Sequence, residues 1–452
     1  MERAIDMQSS VNPTRSLVVG LGATGMSCVR YLSAAGDSVQ VIDSRAIPPM
    51  LSVMQQHYPH TPMQLGQFVP DWFVEADRIV LSPGVSPAEP AIVQARRRGI
   101  EVIGDVELFA RAARAPIVAI TGSNGKSTVT TLLGAMGDAA GLRTAVGGNI
   151  GTPALDLLTL PIPDLYVIEL SSFQLESTFS LAPLAATILN VSMDHMDRYP
   201  DMAHYAAAKQ RIWNNAEHII INRDDPLYRN TTVTATATNT FGVDRPPVES
   251  DYGMVGDWLM HGAERLLRVD ELQLSGRHNA GNVLAAVALA AAAGINQDAA
   301  ISAAKTFPGL PHRCEQVGRW HGIEWINDSK GTNVGATVTA LYGMSAPTIL
   351  IAGGLGKSAD FKPLGAAISA CAKHVVLFGR DAAAIEAVIP PRIPRSHAAT
   401  MEQAIDAAAA VARCGDTVLF SPACSSFDMF ANYEQRGDRF RQTVVERNAC
   451  RA

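Results

Sequence analysis

The chain has 452 residues, 47% hydrophobic and 18% charged, with a formal net charge of −6 and a pI near 6.0. At roughly 100–200 residues per domain, this length predicts two to four domains with ample material for buried cores. The acidic balance and the lack of any long run of like charge speak against a nucleic-acid binder.

The opening "MERAIDMQSSVNPTRS" has no apolar core, so no signal peptide is expected. "SLVVG", "SVQVID", "RIVLSPG" and "IEVIG" read as buried strands in the first hundred residues, with "EPAIVQARRRG" as a helical pattern among them. "VVGLGATG" (18–25) matches G-x-G-x-x-G between a strand and a helix, with Asp43 at the end of the next strand. That is the dinucleotide fingerprint, and its sharpest reading is an NAD-dependent dehydrogenase. A weaker reading is a glycine turn that holds some pyrophosphate at a helix N-terminus.

A second series of strands begins at "PIVAITG" and continues through "DLYVIEL", "AATILNV" and "HIIIN". Its first loop, "TGSNGKST" (121–128), has the strand–loop–helix setting of a phosphate loop. Gly122, Ser123, Asn124 and Gly125 would turn their N–H groups toward an anion, Lys126 would bridge phosphate oxygens, and Ser127 or Thr128 would hold Mg²⁺. The usual leading glycine is replaced by Ile120. An ordinary turn with a polar helix cap is the plainer alternative. Glu169 ends one strand of this series, and Asp194 and His195 follow another. These are strand-end positions where open α/β sheets gather ligands.

The stretch 230–275 departs from the pattern. "NTTVTATATNTFGVD" is rich in β-formers and "ERLLRVDELQLSG" suggests a hairpin, so an antiparallel or irregular addition is expected. "VLAAVALAAAAGI" (283–295) is too short to span a bilayer and fits a buried helix. A third series, "IEWIND", "TILIAGG", "HVVLFG" and "DTVLFSPA", follows "LPHR". Strands alternating with helices predict parallel, doubly wound α/β sheets, with joints near residues 104 and 310. The six cysteines (Cys28, Cys314, Cys371, Cys414, Cys424 and Cys450) form no C-x-x-C pair. Reduced thiols are therefore expected in place of zinc or a disulfide framework.

Taken in order, "AITGSNGKST", "YVIELSSFQLE", "ILNVSMDHMDRY", "LSGRHNAGN", "LPHR", "INDSKGTN" and "SPACSSFDMFANYEQRGDRF" resemble the Mur ligases along essentially the whole chain. The last block is most similar to the members that add glutamate to UDP-N-acetylmuramoyl-L-alanine.

The resemblance implies three domains: a Rossmann-like UDP-substrate domain (1–104), a central ATPase (105–309) and a C-terminal domain for adenine and the amino acid (310–452). It places the UDP part at Gly22, Ala23, Thr24, Gly25, Asp43, Ser44 and Arg45, with Ser82 and Gly84 nearby. It puts ATP on the phosphate loop with Asn282, Arg313 and Asp328, beside His312, and Asn149 near the reaction centre. Ser127, Glu169 and His195 match the Mg²⁺ ligands, and Lys209 matches a lysine that carries a carbamate, so that two ions are implied. Lys330, Thr332, Lys357, Ser426 and Phe427 match the D-glutamate pocket, with Tyr433 where relatives often have another aromatic residue. The implied protein is a cytoplasmic monomer, not an integral membrane protein. It acts on small molecules through an acyl phosphate in peptidoglycan precursor synthesis.

The chemistry asks for such residues. Bringing a carboxylate to a polyphosphate sets anion against anion, which Lys126 and Mg²⁺ would offset. Positioning and charge supply most of a phosphoryl transfer. The two carboxylates of glutamate call for cations such as Lys330 and Lys357 and for hydroxyl donors such as Thr332 and Ser426. Without the resemblance, Lys209 reads as a helix lysine, Arg313 as a surface arginine, and Asp328 equally as a ribose ligand or a helix cap. The rivals are another Mur-type or folylpolyglutamate synthase-like ligase, the NAD-dependent oxidoreductase, and a nucleotide-binding regulator without chemistry.

Overall fold

The computed structural model describes residues 13–449 apart from 230, 232, 234, 275, 345, 357 and 358. Lys357 and Cys450 therefore lie outside the described residues. The chain packs as two compact units. One takes in the residues up to Ala119 with Thr144–Pro183 and Ala207–Asn215; the other takes in Ile120–Arg143, Leu184–Ala206 and the residues from Ala216 onward.

The first unit holds a five-stranded, fully parallel sheet. Its strand order is Met63–Leu65, Ser38–Asp43, Arg15–Val19, Arg78–Leu81, Glu101–Gly104. Strands covered on both faces need unbroken apolar runs, and Leu17, Val18 and Val19 are fully buried. The order reverses beside the first strand, which leaves a crevice at the carboxyl ends next to Gly20 and Ser82. Three-residue strand Met63–Leu65 gave no signal in the sequence, because it is short and only partly buried. Strands Thr144–Gly148 and Leu165–Glu169 of this unit pair in parallel, with Gly148 opposite Glu169.

In the second unit, Ala185–Ile188, His218–Asn222 and Ala237–Phe241 run parallel. Tyr252–Val255, Trp258–His261 and Glu264–Arg268 then form an antiparallel meander. The antiparallel addition thus lies where expected, but the hairpin does not. "ERLLR" pairs backward with Trp258–His261, and "VDE" forms a single 3₁₀ turn. Gly262 supplies the positive φ of the true hairpin turn. The alanine-rich stretch lies in helix Arg277–Ala292, which is buried from Val283 to Ala290.

The same unit carries a six-stranded sheet in the order Glu315–Trp320, Ile323–Asn327, Thr417–Phe420, Thr348–Gly353, Ala372–Phe378, Arg395–His397. Only its first pair is antiparallel. Alternation along each strand feeds two cores. Ile326, Leu350, Leu377 and Leu419 face one; Trp325, Ile351, Val376 and Phe420 face the other. The doubly wound α/β class read from the sequence is the class found. Among the described residues no helix is long and apolar enough to cross a membrane.

Candidate active site

The glycine turn of the first unit is held by side chains. Gly20 has φ +97°, and a Cβ there would come within 2.9 Å of Ser82. The Ser82 hydroxyl donates to the Gly20 carbonyl at 2.9 Å. Asp43 Oδ2 accepts from the Leu21 N–H at 2.7 Å, and the Asp43 carboxylate also takes the Arg45 N–H at 2.8 Å and the Arg45 guanidinium at 2.6 Å. Burial works against the charge on Asp43. The Arg45 guanidinium and the two N–H donors outweigh it, so the carboxyl lies below the usual range. Asp43 thus positions the loop, while Arg45 stays half exposed beside it. A Cβ added at Gly22 or at Gly84 would meet nothing within 4 Å, so both positions face open space.

Elsewhere in this unit, Glu169 is 2% exposed at its strand end. Its Oε1 accepts from Asn149 Nδ2 at 2.8 Å, and its carbonyl accepts from the Asn149 N–H at 2.8 Å. Asn149 therefore fixes both the backbone and the side chain of Glu169. Lys209 is 1% exposed, at the end of helix Met202–Gln210. That burial sets it apart from a solvated lysine on an amphipathic helix, since a buried charge must be matched or neutralised.

The phosphate loop lies in the second unit. Gly122 (φ +155°) and Gly125 (φ +84°) make the turn, and helix Lys126–Ala139 starts directly after it. A Cβ on Gly125 would stand 2.5 Å from Asn282 Oδ1. Ile120, in place of the usual glycine, is fully buried and still part of strand Ile117–Thr121, so the turn starts later than in the longer motif. Lys126 Nζ donates to the carbonyls of Gly122 (2.8 Å) and Ser123 (3.0 Å), curling over the loop. Asn190 Oδ1 accepts from the Asn124 N–H at 2.9 Å and Asn190 Nδ2 donates to the Asn124 carbonyl at 3.0 Å. The Ser123 hydroxyl bonds Tyr205 (3.1 Å) and the Ser192 backbone.

Two later loops of this unit join that site. Arg313 Nη2 donates to Ser127 Oγ at 2.7 Å. Asn333 Nδ2 donates to Asp194 Oδ2 at 3.1 Å and to Asn124 Oδ1 at 3.4 Å. His195, after Asp194, lies in the left-handed region (φ +58°), as do His312 (+63°) and Ala423 (+59°) within the quoted motifs and Cys314 (+48°) directly after "LPHR". Such backbone strain gathers at functional loops. Asp328 is buried, and burial pushes its carboxyl up to about 6 against the pull of Ser421, the Cys314 N–H and Arg313. Its Oδ2 accepts from the Ser421 hydroxyl at 2.6 Å.

Lys330 Nζ stands 3.9 Å above the Tyr433 ring. Ser426 is buried, while Phe427 is 63% exposed. Between them lies a residue that the sequence reading passed over. Arg436 is 1% exposed and donates to the Ser329 carbonyl (2.8 Å), the Ser329 hydroxyl (3.1 Å) and the Cys424 carbonyl (3.0 Å). Burial lowers its pKa to about 10. It thereby ties the loop of Lys330 to the loop of Ser426. Asn190, Asn333 and Arg436 were all missed. They act through partners far away in sequence, and only "EQRG" within a helical pattern hinted at a buried arginine.

Three domain descriptions of one family match the chain in order. The "Mur ligase MurD-like, N-terminal domain" matches residues 14–104, the "Mur ligase middle domain" 120–290, and the "Mur ligase, glutamate ligase domain" 312–424. The UDP-N-acetylmuramoylalanine–D-glutamate ligase of Marinobacter nauticus is 51% identical over 446 residues, covering 97% of this chain and 100% of that protein. The enzyme of the same name from Pseudomonas aeruginosa is 46% identical over 438 residues, covering 95% and 97%. Among solved structures, a pseudomurein peptide ligase type C from Methanothermus fervidus aligns with a TM-score of 0.63 at 19% identity, over 96% of this chain and 99% of that one. UDP-N-acetylmuramate-alanine ligase MurC from Thermotoga maritima aligns at 0.60 and 19%, over 97% and 100%. At those identities the two structures speak to the fold alone.

Proposed function

The chain belongs to the Mur ligase family, and from this premise we propose that it uses ATP to join D-glutamate to UDP-N-acetylmuramoyl-L-alanine, a step of peptidoglycan precursor synthesis. One arrangement supports the reading best. Arg313 and Asn333, from the part matched by the glutamate ligase domain, both reach the phosphate loop, at Ser127 and Asn124. Phosphoryl transfer and amino-acid capture are thereby served by adjoining loops of one unit.

The residues divide the work. The open glycine turn, with Ser82 and Arg45, takes the UDP group, its N–H groups facing pyrophosphate at the start of helix Ala23–Ala34. The ATP phosphates lie on Gly122–Thr128, with Asn282 against Gly125 and Asp328 on the nucleoside side. Lys126 swings from the loop carbonyls to the phosphates, where its charge offsets the meeting of two anions. The substrate carboxylate attacks the γ-phosphate to give an acyl phosphate and ADP. The glutamate amine then attacks that carbonyl and phosphate leaves. Lys330, Thr332 and Ser426 hold the glutamate carboxylates, with Phe427 at the rim and Lys357 assigned there from sequence alone.

Among the described residues no three His, Cys, Asp or Glu side chains cluster. Magnesium, however, is commonly held by one or two carboxylates plus substrate phosphates, and the resemblance of the sequence motifs assigns that role to Glu169, His195 and the Ser127 hydroxyl. When bound, the metal neutralises charge developing on the phosphates. Burial of Lys209 supports its carbamylation: a neutral amine adds to CO₂, releases a proton and becomes an anion able to face a second magnesium ion. We place the protein in the cytoplasm as a monomer.

The dehydrogenase reading is the weaker one. The Asp43 carboxylate already takes the Leu21 and Arg45 N–H groups and the Arg45 guanidinium, where a nicotinamide cofactor needs it for a ribose. The deciding assay mixes the protein with Mg²⁺–ATP, UDP-N-acetylmuramoyl-L-alanine and each glutamate enantiomer. Phosphate release that depends on D-glutamate is expected; release indifferent to the amino acid rejects the ligase.

A further inference from the structure

The loop after strand Ile323–Asn327 carries Lys330 and Thr332 and runs into helix Val334–Gly343. Asn333 caps that helix, its Oδ1 accepting from the Ala336 N–H at 2.8 Å. A backbone N–H can only donate, so this bond fixes which way the amide faces. The Nδ2 group is then committed to the other side, where it meets Asp194 Oδ2 (3.1 Å) and Asn124 Oδ1 (3.4 Å). Gly335 supports the same approach independently. A Cβ there would stand 2.6 Å from Ser192 Oγ and 2.9 Å from Ser192 Cβ, so glycine lets the helix start lie against the Asp194–His195 loop. Asn124 Nδ2 donates to Ser192 Oγ at 3.3 Å, closing the contact.

We propose that Asn333 is a positioning residue that couples the amino-acid pocket to the phosphate loop, holding Lys330 and Thr332 in register with Asn124 and Asp194. This rests on the glutamate-ligase reading. An acyl phosphate has two fates: the amine attacks to give the amide and phosphate, or water attacks to return the carboxylate and phosphate. Registry between the two loops decides which nucleophile arrives first.

The test is the ratio of phosphate released to amide formed in the full-length protein. Asn333→Ser and Asn333→Asp both keep a good helix cap and should keep the thermal midpoint of the parent. Serine is too short to reach Asn124; aspartate lacks the amide donor and sets a carboxylate against Asp194. The parent should release phosphate and form amide in equal amounts. Both variants should release about twofold or more phosphate per amide, and the KM for D-glutamate should rise about fivefold or more. The KM for ATP should change less than that for glutamate. Equal amounts and unchanged KM in both variants overturn the proposal, as does a strictly proportional loss of both products. A parent protein that shows no glutamate-dependent phosphate release overturns the ligase reading, and the proposal with it.

Discussion

Arg313 and Ser127 are 186 residues apart, yet the guanidinium of one donates to the hydroxyl of the other at 2.7 Å. A second cation thus stands at the phosphate loop beside Lys126. Arg313→Ala should lower kcat/KM for ATP by about 2–4 kcal/mol, roughly 30- to 1000-fold. Arg313→Lys should recover part of that, keeping the charge but not the fork. ATP titrations at saturating D-glutamate check it; near-parent kcat/KM in Arg313→Ala would remove Arg313 from the site.

Lys126 donates to the loop carbonyls of Gly122 and Ser123, and it heads a helix whose buried residues follow it. Lys126→Ala should leave thermal unfolding nearly unchanged while turnover falls by about 100-fold or more. Phosphate release and calorimetry on one preparation provide the two readings. Turnover close to the parent's would show that the loop does not handle the transferred phosphate.

Lys209 is 1% exposed, within the range of the core side chains. Removal of CO₂ should therefore lower parent activity, and bicarbonate should restore it. Lys209→Ala should lose on the order of 100-fold in turnover with no recovery in bicarbonate. Activity surviving in Lys209→Ala would sink the carbamate.

Arg436 satisfies two carbonyls and a hydroxyl from inside the core. Arg436→Met would leave the two carbonyls without this donor, at about 1–3 kcal/mol each with part recovered by local relaxation, while the Ser329 hydroxyl still donates to the Tyr433 carbonyl. A fall of about 3 kcal/mol in unfolding free energy is expected, measured by urea titration. In Arg436→Lys, milder loss should come with a raised KM for D-glutamate, because the loops of Ser329 and Cys424 are no longer clamped together. A normal KM there would confine Arg436 to stability.

Asp105 is buried, with Gln174 Nε2 donating to its Oδ2 at 3.3 Å. Burial pushes its carboxyl up to about 6, against about 3.9 in an unfolded chain. Between those values the folded chain keeps a proton that the unfolded chain has shed. Stability from this group is therefore present below about pH 4 and lost as pH rises to about 6, by about 2–3 kcal/mol. Asp43 and Glu107, held low by their partners, run the opposite way, so the group is best isolated by difference. Parent minus Asp105→Asn unfolding free energy should fall across that window; a flat difference would refute the assignment.

Much of this architecture was legible in the sequence because local pattern carries it. Apolar runs such as "SLVV" and "TILIA" named their strands, and Gly20, Gly122 and Gly125 named turns that need open backbone space. Ile120 was legible too once placed inside the strand Ile117–Thr121 instead of being counted as a lost loop glycine. What escaped is long-range. Nothing near Asn333 announces Asn124, and nothing near Arg436 announces Ser329, since those bonds span 209 and 107 residues. Short strands such as Met63–Leu65 and Arg395–His397 escaped because three residues cannot display a period.

The chain passes between its two units at 119/120, 143/144, 183/184, 206/207 and 215/216. Neither unit is a continuous stretch, which matters on the ribosome. The first can close only once residue 215 has emerged. The segments 120–143 and 184–206 must then wait for the residues beyond 216. At about 5–20 residues per second, that wait is roughly ten to fifty seconds. Throughout it Ile120, Val129, Leu132 and Leu133, all fully buried in the finished protein, lack much of their final cover. The phosphate loop and its helix are thus born early and housed late.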